Sequence, residues 1–79
     1  MALLDHYGEA TAIAKELDEK GRGGDAAKMH DAMSNGSTGT EILMALRHSV
    51  EPLLKDPEIA PDMRDRLARL HSSLRRALE

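Results

Sequence analysis

Four histidines are the side chains of this sequence with the widest range of chemistry, because neutral imidazole binds metal ions and imidazole titrates close to neutral pH. They are His6, His30, His48 and His71. Metal ligands on helices usually occur three or four residues apart, as in the HExxH and ExxH motifs. The nearest match is His48 with Glu51, a reversed and isolated pair. We therefore expect surface or boundary histidines, and neither a metal nor any other cofactor.

The segment 35–41 is rich in glycine and hydroxyl groups, a composition that can bind phosphate at a helix N-terminus. It lacks the lysine of a P-loop, no strand precedes it, and Glu41 would occupy the positive end of the helix. Thr38 and Glu41 instead match the capping box, in which the hydroxyl accepts from a backbone amide and the glutamate reaches back to the cap. The segment predicts a capped helix start and no nucleotide site.

Nucleophilic catalysis requires Ser, Thr or Cys beside a base and an oxyanion site in a cleft. His48 and Ser49 are adjacent, but neighbours on a helix point about 100° apart and do not form a dyad. A bundle of 79 residues also offers little concavity. We therefore expect no enzymatic activity and no small-molecule substrate.

Four residues are candidates for contact with a partner, namely Met44, His48, Arg64 and Arg69. Met44 projects away from the apolar face of its predicted helix. Two interpretations of Met44 stay open. It contacts a partner, or it packs under the first or second helix, since a central helix in a small bundle is often apolar on more than one face.

Arginines are frequent in the predicted last helix, where they spread over both flanks and the outer face. Asp62 with Arg66 and Asp65 with Arg69 have the i,i+4 spacing that supports a helix by a few tenths of a kcal/mol. The chain has a net charge of −3 and one aromatic residue, Tyr7. It therefore lacks the positive excess and the stacking side chains that are typical of nucleic-acid-binding domains.

Apolar residues recur at intervals of three and four in four segments, and this periodicity predicts amphipathic helices. The predicted helices span about 2–20, 25–34, 39–55 and 61–78. Leu, Ala, Met and Ile supply most of the apolar residues, a composition that favours helices over strands. We predict an all-α fold, a small antiparallel up-and-down bundle. The first, third and fourth helices are expected to supply the main core, with a short second helix across one end.

Local signals place the helix ends and the apolar faces. Three glycines in the segment 21–24 end the first helix, on whose apolar side Tyr7 is expected. Asp25 is the expected N-cap of the second helix. Pro52 should kink the third helix without breaking it, because the apolar stripe keeps its phase on both sides. Ile59 is expected to point inward from the connection to the fourth helix.

The chain of 79 residues has room for one domain, and no internal repeat divides it, so the predicted domain is 1–79. Cysteine is absent, which excludes disulfides and cysteine-based zinc sites. Neither a signal-peptide pattern nor an apolar run of about 18 residues occurs, so we expect a cytoplasmic protein without a membrane partner. Leu78 and Glu79 are either native residues or the start of an affinity-tag remnant, and Glu79 therefore receives no functional role.

The sequence has enough apolar residues for a core and an interface, but no catalytic or cofactor site is predicted in it. This combination predicts a non-enzymatic protein-interaction or regulatory module. Its expected partner is a protein, either a second copy of the chain or a different one. Two alternatives stay open. One is a nucleic-acid-associated domain that uses the arginine-rich fourth helix and the residues near Arg22. The other is an immunity or antitoxin-like inhibitor, which the size and the acidic charge would suit.

Overall fold

The computed structural model describes residues 6–35 and 38–79. Within these ranges the chain forms four helices and no strand, which confirms the predicted all-α four-helix bundle. The helices are α1 (His6–Glu19), α2 (Gly23–Asn35), α3 (Gly39–Leu54) and α4 (Pro61–Leu78). The predicted start of the first helix, at residues 2–5, lies outside the described residues.

Gly21 ends α1, as the sequence predicts. Its φ of 83° lies in the left-handed region that glycine adopts without steric cost. The backbone N–H of Gly21 donates to the carbonyl of Asp18 at 3.1 Å, and the N–H of Arg22 donates to the carbonyl of Leu17 at 2.8 Å. These two bonds form the Schellman motif, which satisfies carbonyls that the helix end leaves unpaired.

The second helix begins at Gly23, two residues earlier than predicted, so Asp25 is not its N-cap. The carbonyl of Arg22 accepts the first helical bond, from the N–H of Ala26 at 3.1 Å. The Asp25 carboxylate lies in the first turn, where the helix dipole favours a negative charge, and accepts from Arg22 Nε at 2.9 Å. The competing bond to Arg22 is the physical reason why Asp25 does not cap.

The third and fourth helices begin as predicted. Thr38 Oγ1 accepts from the backbone N–H of Glu41 at 3.1 Å and donates to Glu41 Oε1 at 3.1 Å, so the capping interaction is confirmed. Pro52 lies inside α3, which continues to Leu54, so the proline does not break the helix. Pro61 occupies the first position of α4, where its missing N–H costs nothing.

Each helix packs against the helices that precede and follow it, and α1 also packs against α4, so the four helices form a ring. Neighbours run antiparallel. The start of α1 lies beside the last turns of α4, where His6 is hydrogen-bonded to Ser73. The prediction that the second helix packs across one end is wrong. That helix packs between α1 and α3, and its buried residues Ala26, Met29 and Ala32 span nearly two of its turns.

The core is aliphatic, and none of the buried side chains in the described ranges is polar or charged. It consists of Ala10, Ile13, Ala14, Leu17, Ala26, Met29, Ala32, Leu46, Val50, Leu53, Ile59, Met63, Leu67, Leu70 and Leu74. The inward position of Ile59 is thereby confirmed. Tyr7, expected on the apolar side of the first helix, is 44% exposed. Successive residues of an α-helix lie about 100° apart around its axis, which places Tyr7 roughly 70° from the centre of the buried face of α1. Tyr7 therefore lies at the edge of the core.

Candidate functional site

Two of the four predicted partner-binding residues lie together, and two do not. Met44 and His48 stand one turn apart on α3, are both exposed, and line the same groove. Arg64 binds the connection before α4, and Arg69 lies on the outer side of α4. The structure therefore offers one candidate surface, the groove between α2 and α3, and we call it the α2–α3 groove.

The α2–α3 groove has a volume of about 860 Å³ and is open to solvent along one side. Both helices contribute to it, α3 with more residues than α2. Its lining residues are Asp25, Lys28, Asp31 and Ala32 from α2, and Met44, Ala45, Arg47, His48, Ser49, Glu51 and Pro52 from α3.

Small side chains form the floor of the groove. Ala32 is 9% exposed and Ala45 is half-buried, so α2 and α3 meet there without a large side chain to fill the space between them. Met44 is 51% exposed beside this floor. Its exposure shows that the packing interpretation of Met44 is wrong, because Leu46, Val50 and Leu53 define a buried face on the other side of α3. The groove thus combines a hollow with an exposed, flexible apolar side chain.

Four ionisable side chains of the groove make no ion pair or side-chain hydrogen bond within the described part of the chain. They are Lys28 and Asp31 on α2, and Arg47 and His48 on α3. The other two ionisable residues of the lining already have partners elsewhere, since Asp25 pairs with Arg22 and Glu51 with His71. Arg47 lies close enough to Glu51 to help lower the pKa of that carboxyl, but no direct bond holds it. The groove therefore carries side chains of both charge signs that are not directly bonded within the described residues.

Two other interfaces of the ring are bridged by ionisable side chains. Arg66 crosses from α4 to α1, where it contacts Glu9 at 2.7 Å and Glu16 at 2.6 Å. The hydrogen bond to Glu9 is the main reason why the pKa of Arg66 is raised. Between α3 and α4, His71 Nε2 lies 3.1 Å from Glu51 Oε2 and lowers the pKa of that carboxyl. No lining residue of the α2–α3 groove makes such a bond to the opposite helix.

The expected ion pairs along α4 do not form. Arg66 turns to α1 instead of Asp62, because two carboxylates converge there on one guanidinium. Arg69 is exposed and makes no ion pair with Asp65 or with any other described residue. The i,i+4 spacing was a true property of the sequence, but the pairs across helices offer Arg66 more hydrogen bonds.

Arg64 has a structural position that the sequence did not suggest. Its Nη2 donates to the carbonyls of Asp56 at 2.9 Å and Ile59 at 3.2 Å, and it thereby holds the connection between α3 and α4. Arg22 bonds the Asp56 carboxylate from the other connection. The pKa of Asp56 is lowered, first by the bond from the backbone N–H of Glu58 and then by the bond from Arg22. Arg64 is thus committed to the fold.

The four histidines lie one on each helix, at the surface or its boundary. His6 Nε2 is 2.8 Å from Ser73 Oγ, whereas His30 and His48 are exposed. Nowhere in residues 6–35 and 38–79 do three or more His, Cys, Asp or Glu side chains converge as a metal site would require.

Comparisons with known proteins identify no relative, since no family model, no curated protein and no solved structure matches the chain. Of the helices described above, none is both long and apolar enough to cross a membrane.

Proposed function

We propose that this chain is a non-enzymatic protein-interaction module that binds a partner protein in the α2–α3 groove. The observation that carries this proposal is the exposure of Met44, 51% of whose surface is open beside an alanine floor. Burial of a methionine side chain is worth about 1.5–3 kcal/mol, so an exposed one beside a hollow is a favourable anchor. Methionine also adapts its shape to the surface that it meets.

The arrangement around Met44 suits a helical segment of a protein. In the α2–α3 groove, the two helices form the sides and small residues form the floor. An amphipathic helix can bind in such a groove through its apolar face. Charged side chains flank the groove, as polar residues flank the apolar centre of protein interfaces. Arg47 and His48 lie two and three residues after the floor residue Ala45 on α3, and no ion pair within the described residues prevents them from bonding a partner.

Protein is favoured over nucleic acid because internal bonds already occupy three of the arginines that a phosphate contact could use. Arg22, Arg64 and Arg66 each donate to oxygen atoms of this chain. Arg69 is exposed and lines a small surface pocket together with Arg66 and its ion-pair partner Glu9. Nothing in the described residues singles out an inhibitor of the immunity or antitoxin type.

Photo-crosslinking in cells that express the chain tests the proposal. The photoreactive amino acid p-benzoylphenylalanine replaces Met44 in one variant and Ala68, an exposed residue on the outer side of α4, in the control. We expect a discrete adduct on irradiation of the Met44 variant and none from the control. Equal adducts from both positions, or none from Met44, would contradict a binding groove between α2 and α3.

A further inference from the structure

We infer that the occupant of the α2–α3 groove is a second copy of this chain, docked about a twofold axis so that Asp31 of each copy faces Arg47 of the other. This inference rests on the proposed function, whose partner it names. It follows from the charges, the shape of the groove and the small size of the core.

The charges of the groove are complementary to themselves. Asp31 on α2 and Arg47 on α3 line the same groove, yet they do not pair with each other or with any other described residue of their own copy. In a twofold interface, each contact between two residues occurs twice with the roles exchanged. Asp31 of each copy can therefore bond Arg47 of the other copy, which gives two identical ion pairs. A partner of a single charge sign would attract only one of these two side chains and repel the other.

The shape of the groove is also complementary to itself. Met44 is a large apolar side chain that protrudes beside the groove. Ala32 and Ala45 have small side chains and leave a hollow in the floor of the groove. When two copies face each other, Met44 of each copy lies over the groove of the other. A knob and a hollow on the same surface meet their counterparts only when that surface faces a copy of itself.

The size of the chain favours self-association. A chain of 79 residues without cysteine has no disulfides, and its described core is aliphatic, without an aromatic side chain to add buried area. Small domains commonly compensate by oligomerisation, since burial against a second copy stabilises the folded state by mass action.

Sedimentation equilibrium of the purified full chain, over about a hundredfold range of concentration, is the test. The variants Asp31→Lys and Arg47→Glu each place like charges opposite each other in a homodimer, and we expect each to weaken self-association by about tenfold or more. An equimolar mixture of the two variants restores both ion pairs in a heterodimer, and we expect near wild-type association. Asp65→Lys and Arg69→Glu, which make matched changes on the outer side of α4, should leave association unchanged.

The restored association of the mixture also shows that both variants fold. A wild-type chain that stays monomeric throughout would overturn the second copy as occupant. In that case a Met44 adduct with a different protein would leave the proposed function standing, and the absence of any Met44 adduct would remove both. Two results would overturn the Asp31–Arg47 contact and the twofold docking. One is self-association that the charge changes leave unaltered, and the other is a mixture of the two variants that associates no better than each variant alone.

Discussion

At the scale of the residue, the arginines of this chain differ by what they bond. Arg66 donates to Glu9 and Glu16 of α1 and thereby joins the first helix to the last. Arg69, one turn further along α4, is exposed and makes no ion pair with a described residue. Two side chains of the same type and from the same helix therefore have different roles, which makes them a matched pair for mutation.

Replacement of Arg66 by methionine should lower the free energy of unfolding by about 1 kcal/mol, because it removes two partly exposed ion pairs between helices. Methionine keeps most of the apolar stem, so the loss reports mainly on the charge. Arg69→Met should change stability by less than about 0.5 kcal/mol, as exposed substitutions usually do. Urea unfolding of both variants measures the difference, and equal effects would show that the bonds of Arg66 contribute nothing.

At the scale of the element, the turn between α1 and α2 distinguishes two glycines by their backbone conformation. Gly21 has a φ of 83°, whereas Gly24 lies inside the first turn of α2 without a positive φ. A Cβ at either position would meet no atom within 4 Å. Any difference between their alanine variants therefore arises from the backbone and not from packing.

Gly21→Ala should destabilise the protein by about 1 kcal/mol, because a left-handed conformation strains a residue with a Cβ. Gly24→Ala should stabilise it by about 0.5 kcal/mol, since alanine loses less backbone freedom than glycine when a helix forms. Thermal or urea unfolding gives both values. The same sign for the two variants would be inconsistent with the Schellman motif at the end of α1.

At the scale of the whole molecule, the two connections at one end of the bundle are tied together. Arg22, between α1 and α2, bonds Asp56, between α3 and α4, so the first helix pair is joined to the second. The pKa of Asp56 is lowered by the backbone N–H of Glu58 and by Arg22. A lowered pKa in the folded state means that the ionised carboxylate stabilises the fold.

The stability of the wild-type chain should therefore fall as the pH drops below the ordinary Asp56 pKa of 3.8, because protonation of the folded carboxyl weakens its bonds. Asp56→Asn should be less stable than wild type at about pH 7, and the gap should narrow as the pH falls below 3.8, because the wild-type chain then loses the stabilisation that its ionised carboxylate provides. Asp65→Asn is the control, since Asp65 is exposed and makes no ion pair in the described ranges. A gap between Asp56→Asn and wild type that stays constant with pH would contradict this role of Asp56.

The helical class, the number of helices and most of their ends could be predicted from the sequence. These features depend on neighbours within about five residues, through hydrophobic period, capping hydroxyls and glycine conformation. Thr38, Gly21 and Pro61 were predictable for this reason. The error at Asp25 is of the same local kind, because a competing bond from Arg22 decided the cap.

Only the tertiary structure decided where the helices lie relative to one another, and with that the candidate site. The position of α2 between α1 and α3, the exposure of Tyr7, and the choice of Glu9 and Glu16 by Arg66 depend on residues far apart in the chain. The spacing of residues along one helix does not show which residue of another helix a side chain will bond, because the distance between them depends on how the helices pack. The α2–α3 groove exists for the same reason, since its floor and its unpaired charges come from two helices that only the fold brings together.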